Sequence, residues 1–354
     1  MDAVRPLDAR IVRPHVAAQY VSRMLDALPV AERPAALEEH RAVIDPAAYE
    51  EAATAFYVYV LRRDDASHVG VVGEVRTAAF LDGRVRGHEA VQPDRVVGLV
   101  EHFTSAVVRS ELVALLHEPS AEVATVLAET LRAEPLLRFT GPDGWEQAVW
   151  RVTDAASALL IRSLSEATHY IADGHHRVAA SLAVWEQEGR PDDAVLMCAM
   201  YPLDGLRLLA FHRRVSGPVA TDGVLGALSD FDVRPVSGSD GATGCFGLYV
   251  DGSWYDVAYH GARAPGVGGL DVTLMEDLAL TPLLRSHASS RVETSPALAG
   301  VDELVRACDE DGGALFTLRP PTVEQLIEIA DRGEVMPPKS TYFDPKPYAG
   351  IFLR

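Results

Sequence analysis

Five consecutive residues carry the side chains with the most evident chemistry: Asp173, Gly174, His175, His176 and Arg177. Glycine permits the positive φ angle and the close backbone approach that a tight turn needs. Arginine is a permanently charged, fork-shaped donor suited to phosphate oxygens, and imidazoles donate or accept protons near neutral pH. The combination predicts a turn that binds the phosphates of a nucleotide.

The elements on either side of these residues would position them. Residues 170–172 are predicted to be a short strand, and apolar spacing predicts a helix over 177–188 that ends at Gly189. The backbone N–H groups of a first helical turn and the positive end of the helix dipole favour anions. A plainer interpretation stays open, in which Asp173 caps the helix and the polar side chains are solvated.

Composition limits the class of protein. The chain has 354 residues, is 48% hydrophobic and 23% charged, and carries a net charge of −19. This length favours two domains, or one domain with a large appendage. The negative charge opposes broad contact with nucleic acid, so an anionic ligand must meet a local cluster of donors. Cys198, Cys245 and Cys308 are too far apart for a disulfide framework or a paired zinc-ligand spacing.

The sequence shows neither a membrane span nor a secretory signal. No apolar run reaches the roughly 18 residues of a membrane span, and the first residues lack the apolar stretch of a secretory signal. We therefore expect a cytoplasmic protein with a small-molecule substrate and no nucleic-acid or membrane partner. A homodimer is compatible with the sequence.

The remaining pattern predicts an α/β chain. Residues 216–218 suggest a boundary between a domain over 1–215 and a C-terminal α+β region over 216–354. The predicted elements are helical stretches over 14–53, a hairpin of 55–61 with 69–75, helical spacing over 93–131 with a break at 119–120, a helix over 153–163, a buried strand over 194–200 with 206–211 as its neighbour, and a hairpin of 246–250 with 254–257.

The motif also resembles a known one. Residues 171–177 resemble the Asp-Gly-x-x-Arg signature of the ParB and sulfiredoxin superfamily, whose members hold nucleotide phosphates on such a turn. The chain as a whole resembles the bacterial and archaeal family DUF1015. The further segments that carry this resemblance are 82–89, 209–213, 323–326 and 333–346. Residues 1–55 and Phe211, which stands where a threonine is common, depart from the family pattern.

The resemblance implies a mixed sheet flanked by helices, and a function. The superfamily includes kinases that phosphorylate free serine, which implies a nucleotide-dependent phosphotransferase using ATP or ADP with Mg²⁺. Asp173, Gly174, His175, His176 and Arg177 would hold the phosphates, with His176 also acting in catalysis. In that interpretation Glu89 is the base and His88 orients it.

Substrate binding is assigned by the same resemblance. The residues implied to bind substrate are His212, Arg213, Lys339, Ser340 and Thr341. Each group has a structural alternative. His88 and Glu89 could be a surface pair, His212 and Arg213 a solvated strand end, and residues 339–346 a tail that packs its aromatic residues into the core rather than folding over a cleft.

Two other functions are compatible with the motif. One is a nucleotide-binding switch like ParB, in which a conformational change is the output. The acidic charge and the lack of a basic recognition helix disfavour a switch linked to DNA. The other is phosphotransfer to sulfur as in sulfiredoxin, which needs a reactive cysteine near the turn. Cys198, in a predicted buried strand, is a poor candidate.

Overall fold

The computed structural model describes residues 2–21, 44–105, 108–241, 243–286 and 290–354. The chain forms two units. The first comprises Met1–Gly87, Val91–Arg207 and Pro345–Arg354, and the second comprises His88–Ala90 and Leu208–Asp344. Both units combine helices with sheets, which confirms the predicted α/β class.

A nine-stranded mixed sheet forms the centre of the first unit. Its strands are β1 (Val4–Arg5), β4 (Tyr57–Arg63), β5 (Ala66–Arg76), β6 (Val85–Arg86), β7 (Val113–His117), β8 (Leu137–Thr140), β9 (Glu146–Arg151), β10 (His169–Asp173) and β11 (Val195–Pro202). Their order is β6-β10-β7-β11-β5-β4-β9-β8, with β1 paired to β5. The pairs β10–β6 and β11–β7 are parallel, and the other pairs are antiparallel.

Helices cover this sheet. They are α1 (Pro93–Ser105), α2 (Ala121–Thr130), α3 (Asp154–Glu166) and α4 (His175–Gln187). The central strands are buried on both faces, since residues 57–61 of β4 are at most 1% exposed. Helices α1 and α4 share a small apolar cluster of Phe103, Ala180 and Val184. A separate small sheet in this unit joins β2 (Arg10–Val12), β3 (Tyr49–Glu51) and β20 (Phe352–Leu353).

The second unit is built on a six-stranded antiparallel sheet. Its strands are β13 (Phe211–Ser216), β14 (Phe231–Val236), β15 (Phe246–Val250), β16 (Ser253–Tyr259), β17 (Arg291–Pro296) and β18 (Ala314–Leu318), in the order β14-β16-β15-β18-β13-β17. The accompanying helices are α5 (Thr221–Gly226), α6 (Asp271–Met275), α7 (Thr281–Ser286), α8 (Val301–Asp311) and α9 (Val323–Asp331). Strands β12 (Arg207–Leu209) and β19 (Tyr342–Asp344) form a two-stranded sheet.

Several predicted elements are confirmed. The hairpins β4–β5 and β15–β16 are both present. The second one turns at Asp251 and Gly252, whose φ angles of 49° and 72° match the left-handed pair that a two-residue hairpin turn requires. The helix predicted over 153–163 and the buried strand predicted over 194–200 correspond to α3 and β11.

One predicted pairing is wrong, and two predicted helical stretches are confirmed only in part. Within 93–131 the helices α1 and α2 are present, but residues 113–117 form β7, whose five consecutive buried residues fit a short strand as well as a helical turn. Residues 206–211 do not pair with β11, whose neighbours are β5 and β7. Of the helical stretch over 14–53, residues 17–21 are helical as predicted, residues 49–51 are strand β3, and residues 22–43 lie outside the described part of the chain.

None of the helices formed by the described residues has both the length and the apolar character of a membrane span.

Two buried histidines face each other across neighbouring strands of the first unit. His117 of β7 and His169 of β10 are register partners, with ring centroids 5.9 Å apart. His117 Nδ1 lies 2.8 Å from the carbonyl oxygen of Glu118, and His169 Nε2 lies 2.7 Å from that of Leu164. The other two ring nitrogens are buried without a hydrogen-bond partner among the described residues. Both rings are therefore neutral in the folded protein.

We predict that this pair makes the protein less stable in mild acid. Burial, together with His117, lowers the pKa of His169 from 6.5 to about 4, against the raising effect of its bond to Leu164. Between these values the unfolded chain binds more protons than the folded chain, so the free energy of unfolding falls as the pH drops. The loss attributable to His169 is roughly 3 kcal/mol. Urea unfolding at pH 7, 6, 5 and 4 measures it.

The variant His169→Gln should flatten that pH dependence, because glutamine does not titrate. The exposed His15→Gln serves as the control and should leave the dependence unchanged. Equal pH dependence in wild type and His169→Gln would contradict the assignment.

Candidate functional site: a phosphate-binding turn

The predicted turn has the predicted geometry. Strand β10 ends at Asp173, Gly174 is the N-cap residue, and α4 begins at His175. Gly174 has φ 108° and ψ 22°, in the left-handed region, and no side chain caps the helix. A Cβ atom on Gly174 would lie 3.1 Å from the guanidinium nitrogens of Arg177, which therefore folds back over the glycine. The sequence places a glycine where both backbone and packing require one.

The turn carries more positive than negative charge. Asp173 accepts a hydrogen bond from Lys346 Nζ at 2.5 Å and another from the guanidinium of Arg177. Burial raises the pKa of Asp173, but Lys346 and Arg177 outweigh this effect and hold the pKa at about 2. One carboxylate thus faces two permanent cations and the positive end of α4. In a chain of net charge −19, this is a local site that favours an anion.

The two histidines of the motif differ in environment. His175 is 7% exposed, and its ring lies where a Cβ on Gly87 would approach it to 3.3 Å. Burial lowers the pKa of His175 to about 4, although Asp173 opposes the shift, so the ring is neutral near pH 7. His176 is half-buried, and its Nε2 accepts a hydrogen bond from the backbone N–H of Gln92 at 3.0 Å. A neutral His176 ring therefore carries its proton on Nδ1.

The predicted base and its neighbour lie in the second unit. His88 is 0% exposed, and its Nε2 lies 3.1 Å from the hydroxyl of Thr341. Its ring meets Phe343 edge-on at 6.4 Å between centroids. Glu89 is half-buried and forms a parallel bridge with Met336. The alternative of an exposed surface pair is therefore wrong for His88.

Arg213 is also buried rather than solvated. It is 2% exposed, and its guanidinium donates to Glu276 at 2.8 Å and to the carbonyl oxygens of Pro338 and Lys339 at 3.1 Å. His212 Nδ1 accepts from the backbone N–H of Leu318 at 3.2 Å. The alternative of a solvated strand end does not hold, because Arg213 instead fixes the segment around residues 338–339.

The remaining predicted substrate residues belong to that same segment. The hydroxyl of Ser340 donates to the carbonyl oxygen of Pro337 at 2.7 Å, and Lys339 Nζ lies 5.4 Å from the ring centroid of Phe211. Phe343 is 3% exposed, as the structural alternative for the tail expects. Roles in substrate binding for these residues stay predictions.

The structure thus groups the predicted site residues into two sets. Asp173, Gly174, His175, His176 and Arg177 lie in the first unit together with Lys346. The set in the second unit consists of His88, Glu89, His212, Arg213, Lys339, Ser340 and Thr341. Lys346 belongs to the C-terminal segment 339–346, and its pairing with Asp173 could not be predicted, because 173 residues separate the two.

A magnesium ion finds few protein ligands at the turn. No group of three or more His, Cys, Asp or Glu side chains in the described ranges is arranged to hold a metal ion. Both oxygens of Asp173 already accept from cationic side chains. Mg²⁺ usually keeps several waters and binds substrate phosphates with only one or two carboxylates, so a preformed cluster is not required. The turn offers positive charge to phosphates rather than a ligand to a metal.

We predict that Gly174→Ala destabilises the protein more than Gly189→Ala does. Both glycines have positive φ angles, of 108° and 82°, but a Cβ meets Arg177 only at position 174 and nothing within 4 Å at position 189. The shared backbone strain costs roughly 1–2 kcal/mol in each variant. Displacement of Arg177 adds about 1 kcal/mol or more at position 174, since a charge-assisted hydrogen bond is disturbed. Urea unfolding measures both, and equal losses would contradict the packing argument.

Comparisons with known proteins bear on the family and not on the activity. No curated protein matches the chain. A free serine kinase in complex with AMP is 14% identical, with 77% of this chain and 86% of that chain covered and a TM-score of 0.40. A conserved hypothetical protein from Pyrococcus furiosus is 14% identical, with 79% of this chain and 93% of that chain covered and a TM-score of 0.40. SbnI with a C-terminal truncation from Staphylococcus aureus is 9% identical, with 78% of this chain and 85% of that chain covered and a TM-score of 0.42. At these values the likenesses carry no argument about what this chain does.

The family match is stronger. The sequence matches the family described as "Protein of unknown function (DUF1015)" over residues 34–273, which is more than half of the chain. The match begins within residues 1–55, which were expected to depart from the family pattern, and ends before the segment 333–346. The expected family is confirmed over that range: the chain belongs to the DUF1015 family.

Proposed function

We propose that this protein is a nucleotide-dependent phosphotransferase that phosphorylates the hydroxyl of free serine or of a similar small metabolite. The observation that carries the proposal is the turn at Gly174. There the helix starts after a left-handed residue and has no side-chain cap, and the cations Arg177 and Lys346 share one carboxylate, that of Asp173. The resemblance of residues 171–177 to a nucleotide-binding signature supports the same assignment.

The nucleotide would bind through its phosphates. The positive end of α4 and the guanidinium of Arg177 favour phosphate oxygens, and Lys346 adds a second cation. Lys346 and Arg177 share Asp173 as their counterion, which keeps both near the helix start without cancelling their charge. Bound Mg²⁺ would supply charge neutralisation between the phosphates.

The transfer itself needs a base. The hydroxyl oxygen of the acceptor attacks the terminal phosphorus of ATP or ADP, the bond to the bridging oxygen breaks, and the shortened nucleotide leaves with that oxygen. We assign Glu89 to accept the hydroxyl proton, on the family resemblance of residues 82–89. His176, protonated at Nδ1, is assigned to donate a hydrogen bond to the phosphates.

Turnover with defined acceptors tests this function. The protein is incubated with ATP or ADP, Mg²⁺ and a panel of amino acids and sugars, and products are identified by phosphorus NMR. Phosphoserine supports the kinase assignment. Nucleotide hydrolysis without any acceptor product favours the ParB-like switch instead. Failure to bind either nucleotide in calorimetry overturns both.

The variant Arg177→Ala tests the role of the turn. We expect nucleotide affinity to fall by about 1.5–3 kcal/mol, because a charge-assisted contact is lost. Arg190→Ala is the matched control, since Arg190 also pairs with a carboxylate four residues earlier near the end of α4, at 2.9 Å from Glu186. Nucleotide affinity that is equal in both variants would refute the phosphate role of Arg177.

A further inference from the structure

A second group of cations lies in the first unit, around a small cavity. Three guanidiniums line the cavity, those of Arg109, Arg177 and Arg354, and Ser181 lines it from the helix turn that follows Arg177. Glu111 is the carboxylate among the lining residues. Arg177 and Arg354 each have a carboxylate partner, Asp173 and Glu74, so Arg109 supplies the positive charge of the cavity that no ion pair among the described residues offsets.

Arg109 shows the charge imbalance most clearly. Its guanidinium lies 4.3 Å from the ring centroid of Phe103 and forms no ion pair with any residue that the structure describes. Burial lowers the pKa of Arg109, the nearby Glu111 raises it, and Arg354 lowers it further. A half-buried cation without a paired carboxylate is costly for the folded state. An anion bound in the cavity would remove that cost.

The backbone and the neighbouring contacts hold these groups in place. Arg109 and Arg354 exchange two backbone hydrogen bonds, of 2.7 Å and 2.9 Å. Arg354 Nε donates to Glu74 at 2.7 Å, and Glu74, which is 1% exposed, is also paired with Arg5. The guanidinium of Arg177 donates to the carbonyl oxygen of Leu112 at 2.5 Å. Hydrogen bonds therefore hold the backbone of Arg109 and the guanidiniums of Arg177 and Arg354, although the Arg354 side chain is 40% exposed.

The size and chemistry of the cavity define its ligand. Its volume is about 30 Å³, and Val113 and Leu196 contribute an apolar side. One water needs roughly 10–15 Å³ of such space, so the cavity admits a small oxyanion group. Guanidiniums present paired N–H donors that match phosphate oxygens.

We propose that this cavity is a binding site for a phosphoryl oxyanion, with Arg109 and Arg354 as donors that the nucleotide-binding turn does not use. The cavity shares Arg177 with the turn at Gly174, but Arg109 and Arg354 belong to the cavity alone, so the proposal can be tested at Arg109 without the proposed kinase activity. Its ligand is either free phosphate or the phosphoryl group of a larger molecule, which the same experiment distinguishes.

Calorimetric titration of the full chain with inorganic phosphate tests the proposal. We expect saturable binding to wild type, and a roughly tenfold to hundredfold weaker affinity in Arg109→Met. Arg190→Met is the matched control, because Arg190 also stacks on an aromatic ring, at 5.5 Å from Trp185, but does not line the cavity. Its affinity for phosphate should equal that of wild type.

Two further readouts keep the result interpretable. Without ligand, Arg109→Met should melt at or above the temperature of wild type, since it removes an unpaired cation, and phosphate should raise the melting temperature of wild type only.

Titration with ADP then shows whether the bound phosphoryl group belongs to a nucleotide or is free phosphate. Weaker ADP binding in Arg109→Met assigns the cavity to a phosphoryl group of the nucleotide, and unchanged ADP binding assigns it to free phosphate.

Absence of phosphate binding to wild type, together with equal ADP affinity in wild type and Arg109→Met, would overturn the proposal. So would phosphate binding that Arg109→Met leaves unchanged. These failures differ from a failure of the kinase assignment, which would appear as absent turnover or a lost nucleotide site at Arg177 while phosphate still binds at Arg109.

Discussion

Phosphoryl transfer is expected to fall by roughly a hundredfold to ten-thousandfold when Glu89 is replaced by glutamine, because general-base catalysis contributes about that much. Glutamine keeps the shape of the side chain but does not accept the hydroxyl proton. The backbone contact that fixes the segment, from the N–H of Met336 to the carbonyl of His88 at 2.8 Å, does not involve the substituted group. Nucleotide affinity should therefore stay close to that of wild type. Initial rates by phosphorus NMR and affinity by calorimetry measure the two quantities.

The exposed Glu324→Gln in the first turn of α9 is a suitable control, because it removes a carboxylate from the same unit without touching Glu89. It should transfer phosphate at the wild-type rate. Undiminished transfer by Glu89→Gln would show that another group takes the proton.

The second large effect concerns stability. Arg213→Met should lower the free energy of unfolding by about 3 kcal/mol, the lower end of the usual cost of breaking a buried ion pair, because Arg213 is buried while Glu276 is 29% exposed. The variant leaves Glu276 without its 2.8 Å partner, and it leaves the carbonyl oxygens of Pro338 and Lys339 without their donor. Urea unfolding followed by circular dichroism measures the loss.

Arg332→Met provides the comparison for Arg213→Met. Arg332 pairs with Glu334 at 2.6 Å, but the two side chains are 46% and 30% exposed. An exposed pair of this kind contributes about 1 kcal/mol or less. In the double variant Arg213→Met with Glu276→Gln, part of the lost stability should return, because the stranded carboxylate is removed. A loss at Arg213 no larger than that at Arg332 would show that its hydrogen bonds are replaced by water.

The local part of the candidate site could be predicted from the sequence. A strand, a glycine and a helix follow each other within residues 169–187, and each has a signal of short range: apolar residues, permissive backbone and helical spacing. The hairpin at Asp251 and Gly252 was predictable for the same reason. In contrast, β7 has only five residues, of which four are apolar, and such a short run fits a strand and a buried helical turn equally.

The contacts of long range could not be predicted. Lys346 meets Asp173 across 173 residues, and Arg213 reaches Lys339 across 126. Nothing in the local pattern of a basic residue at a strand end distinguishes a solvated side chain from a buried one. Burial depends on which distant segment covers the residue, and a single sequence carries no direct signal for that pairing. The cationic cavity at Arg109 was missed for the same reason.

The first unit is interrupted along the chain, and this has a consequence for its synthesis. Its closing segment, Pro345–Arg354, supplies β20, the lysine beside Asp173 and the arginine beside Glu74. On a ribosome, those groups emerge only after all of Leu208–Asp344 has been made. The first unit therefore completes these contacts only after the second unit has been made. Nascent chains arrested at residue 344 should lack that closure, however long they are left to fold.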